Sequence, residues 1–180
     1  MDKDQFWQLV ETARARESGG ADEEAVAGRA SDLLAARPVE EILAAQQALW
    51  DVMADSYTNP VWAAAYLING GCSDDGFDYF RGWLLAQGRD TYTRVIADPD
   101  SLADLPAVRA AAAEAGDVEC ESVLGICWNA HIKATGEQLP TGVFTIRHGA
   151  LDPAWNFDFD DRAEMRRRLP RLSALFLDER

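Results

Sequence analysis

The chain has 180 residues, 48% hydrophobic and 27% charged, the balance of an ordinary globular domain long enough to bury a core. Its 31 acids outnumber 17 bases, giving a net charge of −14. Direct nucleic-acid binding and docking on an anionic membrane are therefore not expected, because both need a dense basic footprint. No apolar run approaches the ~20 residues of a membrane span, and the acidic start MDKDQFWQLVE is no secretory signal, so a cytoplasmic location is expected.

The pattern is helical almost throughout. Asp2 and Gln5 are spaced as a capping box ahead of Phe6, Leu9, Val10 and Ala13, and Gly19-Gly20 stops that helix. A second helix runs from about Asp22 to Arg37, with Val26, Ala30, Leu33 and Leu34 on one face. Pro38 can open a third as its first residue, with Ile42, Gln46, Leu49 and Met53 as its stripe. Asn59-Pro60 reads as a cap and first-turn proline for VWAAAYLIN, which ends at Gly70-Gly71 and is apolar on all sides, so it belongs at the centre of the core. Asp74 and Asp75 precede a helix that buries Phe77, Phe80, Trp83 and Leu84 and stops at Gly88. Asp90 to Ala97 gives a short helix, and Pro106 opens an alanine-rich one stopped at Gly116. Asp117 to Thr135 reads as the longest late helix, closed by Gly136. VFTIR (143–147) is the one strand-like stretch and is too short to support a sheet alone. After the aromatic, acidic WNFDFDD (155–161) comes a last helix interrupted at Pro170. The expected fold is all-α: a single-domain bundle of about seven to nine helices, with at most one minor strand or hairpin near 143–147. Residues 1–140 form its core, and a loop and arginine-rich helix over 141–180 pack on the same domain.

The densest polar group joins two very apolar helices: Asn69, Cys72, Ser73, Asp74, Asp75, then Asp78 and Arg81. Carboxylates at the edge of a buried region can have one acid raised by desolvation while Arg81 holds another ionised, an arrangement suited to acid–base work. The plainer alternative is that Asp74 caps the helix, Asp75 complements its dipole, and Asp78 pairs with Arg81 three residues on. The glycines here do not make a phosphate loop, and the acids miss the spacing of a calcium loop. Cys120, Leu124, Cys127 and His131 recur at 4-3-4 spacing, as on one helix. Cys120 would lie about 10 Å along the axis from Cys127, too far for one metal, so core thiols are expected and no metal. Three cysteines make no disulfide framework. His148 reads as an exposed loop residue. Arg162, Arg166, Arg167, Arg168 and Arg171 form the basic cluster, read as a solvated face neutralised by the preceding acids of WNFDFDD, with an anion or acidic-partner patch as the alternative.

WAAAYLINGGCSDDGFDYFRGWLLAQGR (62–89) resembles an uncharacterised bacterial family, domain of unknown function 4240. DQFWQLVETAR, ADPDSLADL and ESVLGICWNAHIKATGEQLP are similar to it as well, so the resemblance covers most of residues 1–140. It implies no assigned activity, catalytic residues or cofactor. The family also looks like a module sometimes joined to Trp-Gly-Arg-type domains, which hints at a nucleic-acid-related context. The first expectation is a regulatory or interaction module that recognises a protein or small-molecule ligand, as a monomer or homodimer. Its recognition candidates are Tyr57, Asn69, Asp74, Asp75, Asp78, Arg81 and Trp83, with no cofactor. The alternatives are a small hydrolase or isomerase using the Asp/Arg group, and an accessory protein touching nucleic-acid machinery through the arginine-rich C-terminus.

Overall fold

A computed structural model describes residues 1–15 and 22–177; the predicted stop at Gly19-Gly20 lies outside them. Among the described residues there are helices and no strand. The α-helices are α1 (Lys3–Arg14), α2 (Glu23–Ala35), α3 (Val39–Asp55), α4 (Asn59–Asn69), α5 (Asp74–Ala86), α6 (Arg89–Ala97), α7 (Pro106–Glu114), α8 (Ile126–Thr135), α9 (Arg162–Arg168) and α10 (Pro170–Phe176). Short 3-10 turns occupy Pro99–Asp104, Glu121–Val123 and Pro153–Trp155. No helix among these residues is long and apolar enough to cross a membrane.

Local signals set most boundaries. The Asp2/Gln5 capping box opens α1, and the Asp22 carboxylate accepts from the Glu24 and Ala25 N–H groups to open α2. Pro38 sits one place before α3 rather than inside it. Thr58, not Asn59, caps α4, because its hydroxyl lies on extended backbone and accepts from the Val61 N–H. Gly70 ends α4 at φ 67°, the left-handed conformation that glycine adopts without a Cβ penalty.

One apolar core runs through all ten helices. α8 packs chiefly on α2 and α3, while α1 lies against α2 and α3. α5 packs on the 121–123 turn, and α10 crosses α4 and the 99–104 turn. Phe77, Phe80, Trp83 and Leu67 are buried as expected. Trp62 is only half-buried: its ring stacks on Phe77 at 4.5 Å and its indole N–H donates to the Cys72 carbonyl at 3.4 Å.

Two stretches depart from the sequence expectation. Residues 117–120 are not helical, so Cys120 does not share a helix with Cys127 and His131. The Asn69 side chain and the Tyr79 carbonyl hold that segment's backbone groups, and tertiary pairing overrides local propensity. VFTIR forms no strand, bends at Val143 and pairs with a side chain: the Gln47 amide accepts from the Thr145 N–H at 2.8 Å and donates to its carbonyl at 3.1 Å.

The C-terminal helices dock through a distant cap. The buried Asp100 carboxylate accepts from the Arg171 and Leu172 N–H groups at 3.0–3.1 Å, at the amino end of α10. The arginines of this region are engaged internally. Arg167 and Arg168 pair with Glu164, Arg171 pairs with Asp104, and Arg162 donates to the Leu177 carbonyl. Arg168 also sits over the Trp155 and Phe157 rings at 4.7 and 4.8 Å.

Candidate functional site

The loop from α4 to α5 is built by its small and polar residues. Gly70 and Gly71, at φ 67° and 134°, turn the chain, and Ser73 then caps α5 by accepting from the Gly76 N–H at 3.1 Å. Asp74 is therefore the first residue of α5 and not its cap, a correction of one place. Asp74 and Asp75 stand exposed at the amino end of α5, where the helix dipole favours negative charge. Neither makes an ion pair among the described residues.

Asn69 looks inward along the same edge. Its carbonyl oxygen accepts from the Val118 N–H at 3.1 Å, and its amide donates to the Val118 carbonyl and the Glu119 carboxylate at 3.4 and 3.3 Å. This side chain pins residues 118–119 beside the loop. One residue on, the Cys120 N–H donates to the Tyr79 carbonyl at 3.0 Å. The segment crosses α5 so closely that a Cβ on Gly82 would lie 2.5 Å from the Cys120 carbonyl oxygen.

Arg81 is the largest fully buried side chain, 1% exposed. It forms an ion pair with Asp78, one turn earlier on α5, and donates to the Met53 carbonyl at 2.6 Å. Met53 lies in the last turn of α3, where its carbonyl also accepts from the Ser56 N–H at 3.3 Å and the Ser56 hydroxyl at 3.0 Å, and a cation there complements the helix dipole. The guanidinium also lies 5.1 Å from the Tyr57 ring centre and 4.9 Å from that of Phe77. The Arg81 Nε–H is buried without an acceptor. Tyr57 in turn touches the Trp62, Phe77 and His148 rings.

The seven candidates thus divide. Tyr57, Asp78 and Arg81 meet, with Asp78 half-exposed and Arg81 sealed beneath it. Asn69 binds the 118–119 segment. Asp74 and Asp75 form an outer rim. Trp83, two residues beyond Arg81 and so on another side of α5, lines a separate groove with Glu23, Ala111 and Glu119. Phe77, Glu119, Cys72 and the Met53 carbonyl also belong here, beyond the seven. Phe77 was legible as the apolar residue one turn before Arg81, whereas Glu119 and Met53 arrive from distant sequence.

Burial, with the Glu119 carboxylate adding to it, pushes the Cys72 thiol up to about 12, which favours the protonated form. Burial and the Asp117 charge raise Glu119, and its hydrogen bond from Asn69 opposes them. Glu121 is the main cause of a rise in the Tyr79 phenol, with Asp75 adding to it. Among the described residues no three His, Cys, Asp or Glu side chains gather as metal ligands; His131 Nδ1 faces the Glu137 carbonyl at 2.9 Å instead. A cleft of about 330 Å³ lies elsewhere, between α4 and the C-terminal helices, lined by Tyr66, Leu67, Phe159, Asp160 and Arg162 among others and by none of the seven. There the Tyr66 hydroxyl donates to Asp160 at 2.8 Å.

No curated protein and no solved structure matches the chain. The family model described as protein of unknown function (DUF4240) matches residues 1–133, which takes in α1 to α7, the Asn69–Trp83 loop and helix, and most of α8. The chain therefore belongs to the DUF4240 family.

Proposed function

We propose that the protein is a soluble cytoplasmic interaction module whose recognition surface is the edge at the start of α5. On that surface Asp74, Asp75 and Asp78 contact a protein or small-molecule ligand, beside Asn69. Tyr57 and Arg81 hold the surface rigid from beneath, and Trp83 anchors α5 in the core. The observation that carries this reading is the sorting of charge: the arginine is sealed by carboxylate, carbonyl and ring faces, while two carboxylates project with no ion pair. A buried, neutralised arginine is poorly placed to bind a substrate anion, and a thiol held protonated cannot attack one. Both favour recognition over acid–base catalysis.

The test is the double change Asp74→Asn and Asp75→Asn. Both positions are exposed, so the melting temperature should stay near wild type. The variant should fail to complement a deletion strain. Full complementation at normal expression would refute the assignment.

A further inference from the structure

We propose that the surface running from Gln47 and Trp50 on α3 to Tyr57, just beyond the end of α3, is a docking groove for an extended peptide segment of a partner protein, occupied in this chain by its own residues 143–148. The central device is the Gln47 side chain. Its amide accepts from the Thr145 N–H at 2.8 Å and donates to the Thr145 carbonyl at 3.1 Å, matching both backbone groups of one extended residue. Asp51, one turn on, accepts from the same Gln47 nitrogen at 2.8 Å and fixes which way the amide points. Such a contact reads backbone and ignores side-chain identity, as a sheet edge does when it takes an added strand.

Two ring platforms flank the clamp. Trp50 stacks on Phe144 with planes 6° apart and centres at 6.1 Å, and Tyr57 meets the His148 ring at 4.3 Å. The groove specifies an aromatic residue, then a residue with a free N–H, then a ring three places later. Asp51 at the clamp and the acidic chain as a whole favour a neutral or basic segment, as Arg147 and His148 are here.

Residues 143–148 are a weak occupant. Residues 145–150 are exposed, and the Trp50 indole N–H is buried with no acceptor, so a donor in the groove goes unused. The groove lies within the family match and the occupying segment outside it.

The test uses the full-length chain and a fluorescent synthetic peptide of residues 141–151. Tethering gives the resident segment an effective concentration on the order of millimolar, so wild type should bind the peptide weakly. Thr145→Pro removes the N–H that Gln47 accepts, and Phe144→Ala removes the ring on Trp50; either should release the segment and tighten peptide binding about tenfold or more. Adding Gln47→Ala to a released chain should abolish the gain. A peptide N-methylated at Thr145 should bind no better to a released chain than to wild type. Circular dichroism checks that the helices persist, and Phe144→Ala alone decides if Thr145→Pro disturbs them. The proposal is overturned if neither released chain gains affinity, or if the N-methylated peptide binds as well as the plain one. A wild-type dimer that forms through this segment and is dissolved by the peptide would assign the groove to a second copy and equally overturn it.

Discussion

Arg81 and Asp78 form an ion pair whose two halves are unequally exposed, 1% against 30%, and this asymmetry predicts an unexpected order of mutational cost. Asp78→Ala removes a small, half-exposed carboxylate, which on exposure alone should matter little. It also strands a guanidinium that cannot shed its proton and has only the Met53 carbonyl and two ring faces left. Breaking a buried pair in this way costs about 3–5 kcal/mol. Arg81→Met removes the charge itself and keeps most of the volume against Phe77 and Tyr57. The orphaned Asp78 can rehydrate through its exposed side, so the loss should be about 1–2 kcal/mol, a lost charged hydrogen bond with little cavity. Arg81→Ala adds the cavity and should cost about 3–4 kcal/mol. In the double variant Arg81→Met with Asp78→Ala, the stranded charge is gone. Its cost should therefore fall about 2–3 kcal/mol short of the sum of the single changes. Urea unfolding followed by circular dichroism, with linear extrapolation, measures all four. If Asp78→Ala costs less than Arg81→Met, or the double-mutant cycle closes additively, water reaches the guanidinium and the sealed-arginine description is wrong.

Three further predictions concern the crossing of α5 by residues 118–123 and the buried thiols of Cys120 and Cys127. Gly82→Ala should destabilise by about 1–3 kcal/mol, read by the same unfolding assay, because its Cβ would sit 2.5 Å from a backbone oxygen that cannot step aside as a side chain would; a change within ~0.5 kcal/mol would show the crossing to be loose. Cys120 and Cys127 should resist thiol reagents in the native state and label only on unfolding; rapid native labelling of either would contradict their burial. Burial pushes the folded Cys127 thiol up to about 12, so the unfolded chain ionises first. Its stabilising contribution is intact below the ordinary thiol range near 9 and declines as pH rises from there toward about 12. Melts at pH 8 and pH 10 should therefore show lower stability at the higher pH, and Cys127→Ala should reduce that difference, the rest coming from Cys72 and Cys120, whose thiols burial raises likewise.

What was legible in the sequence follows from how local each signal is. The Asp2/Gln5 box, the Asp22 cap, and Gly70 and Gly136 as stops act within one turn, and each acts where its residues stand. The misplacements at Thr58 and Ser73 are one residue long, because a hydroxyl on extended backbone reached the orphan N–H before the next polar residue could. Residues 117–120 carried a plausible helix start and lost it to Asn69, some 50 residues upstream, whose amide takes both the Val118 N–H, which a first turn would leave unpaired, and the Val118 carbonyl. VFTIR reads as strand-like, yet the described residues hold no strand there. It could not signal that the partner is a glutamine side chain on α3 rather than a strand.

The same distinction sorts the polar residues of the α4–α5 region by what each can still do. The Asp78–Arg81 pair was legible from three-residue spacing, and its burial could also have been read. Arg81 lies four after Phe77 and three before Leu84, within the apolar stripe, and a charge at a core position must find acceptors inside the fold. Asn69 pins a segment, Ser73 caps a helix, Gly82 admits a crossing chain, and Arg81 closes the carboxyl end of α3. Each is held by a partner that folding alone explains. Asp74 and Asp75 have no such partner beyond the helix dipole, whose favourable effect any first-turn acid supplies for ~0.3–1 kcal/mol. Two adjacent carboxylates repel each other at that end, so dipole stabilisation alone argues for one of them and not for both. The proposed recognition surface rests on this surplus of charge above a sealed arginine, and not on the arginine itself.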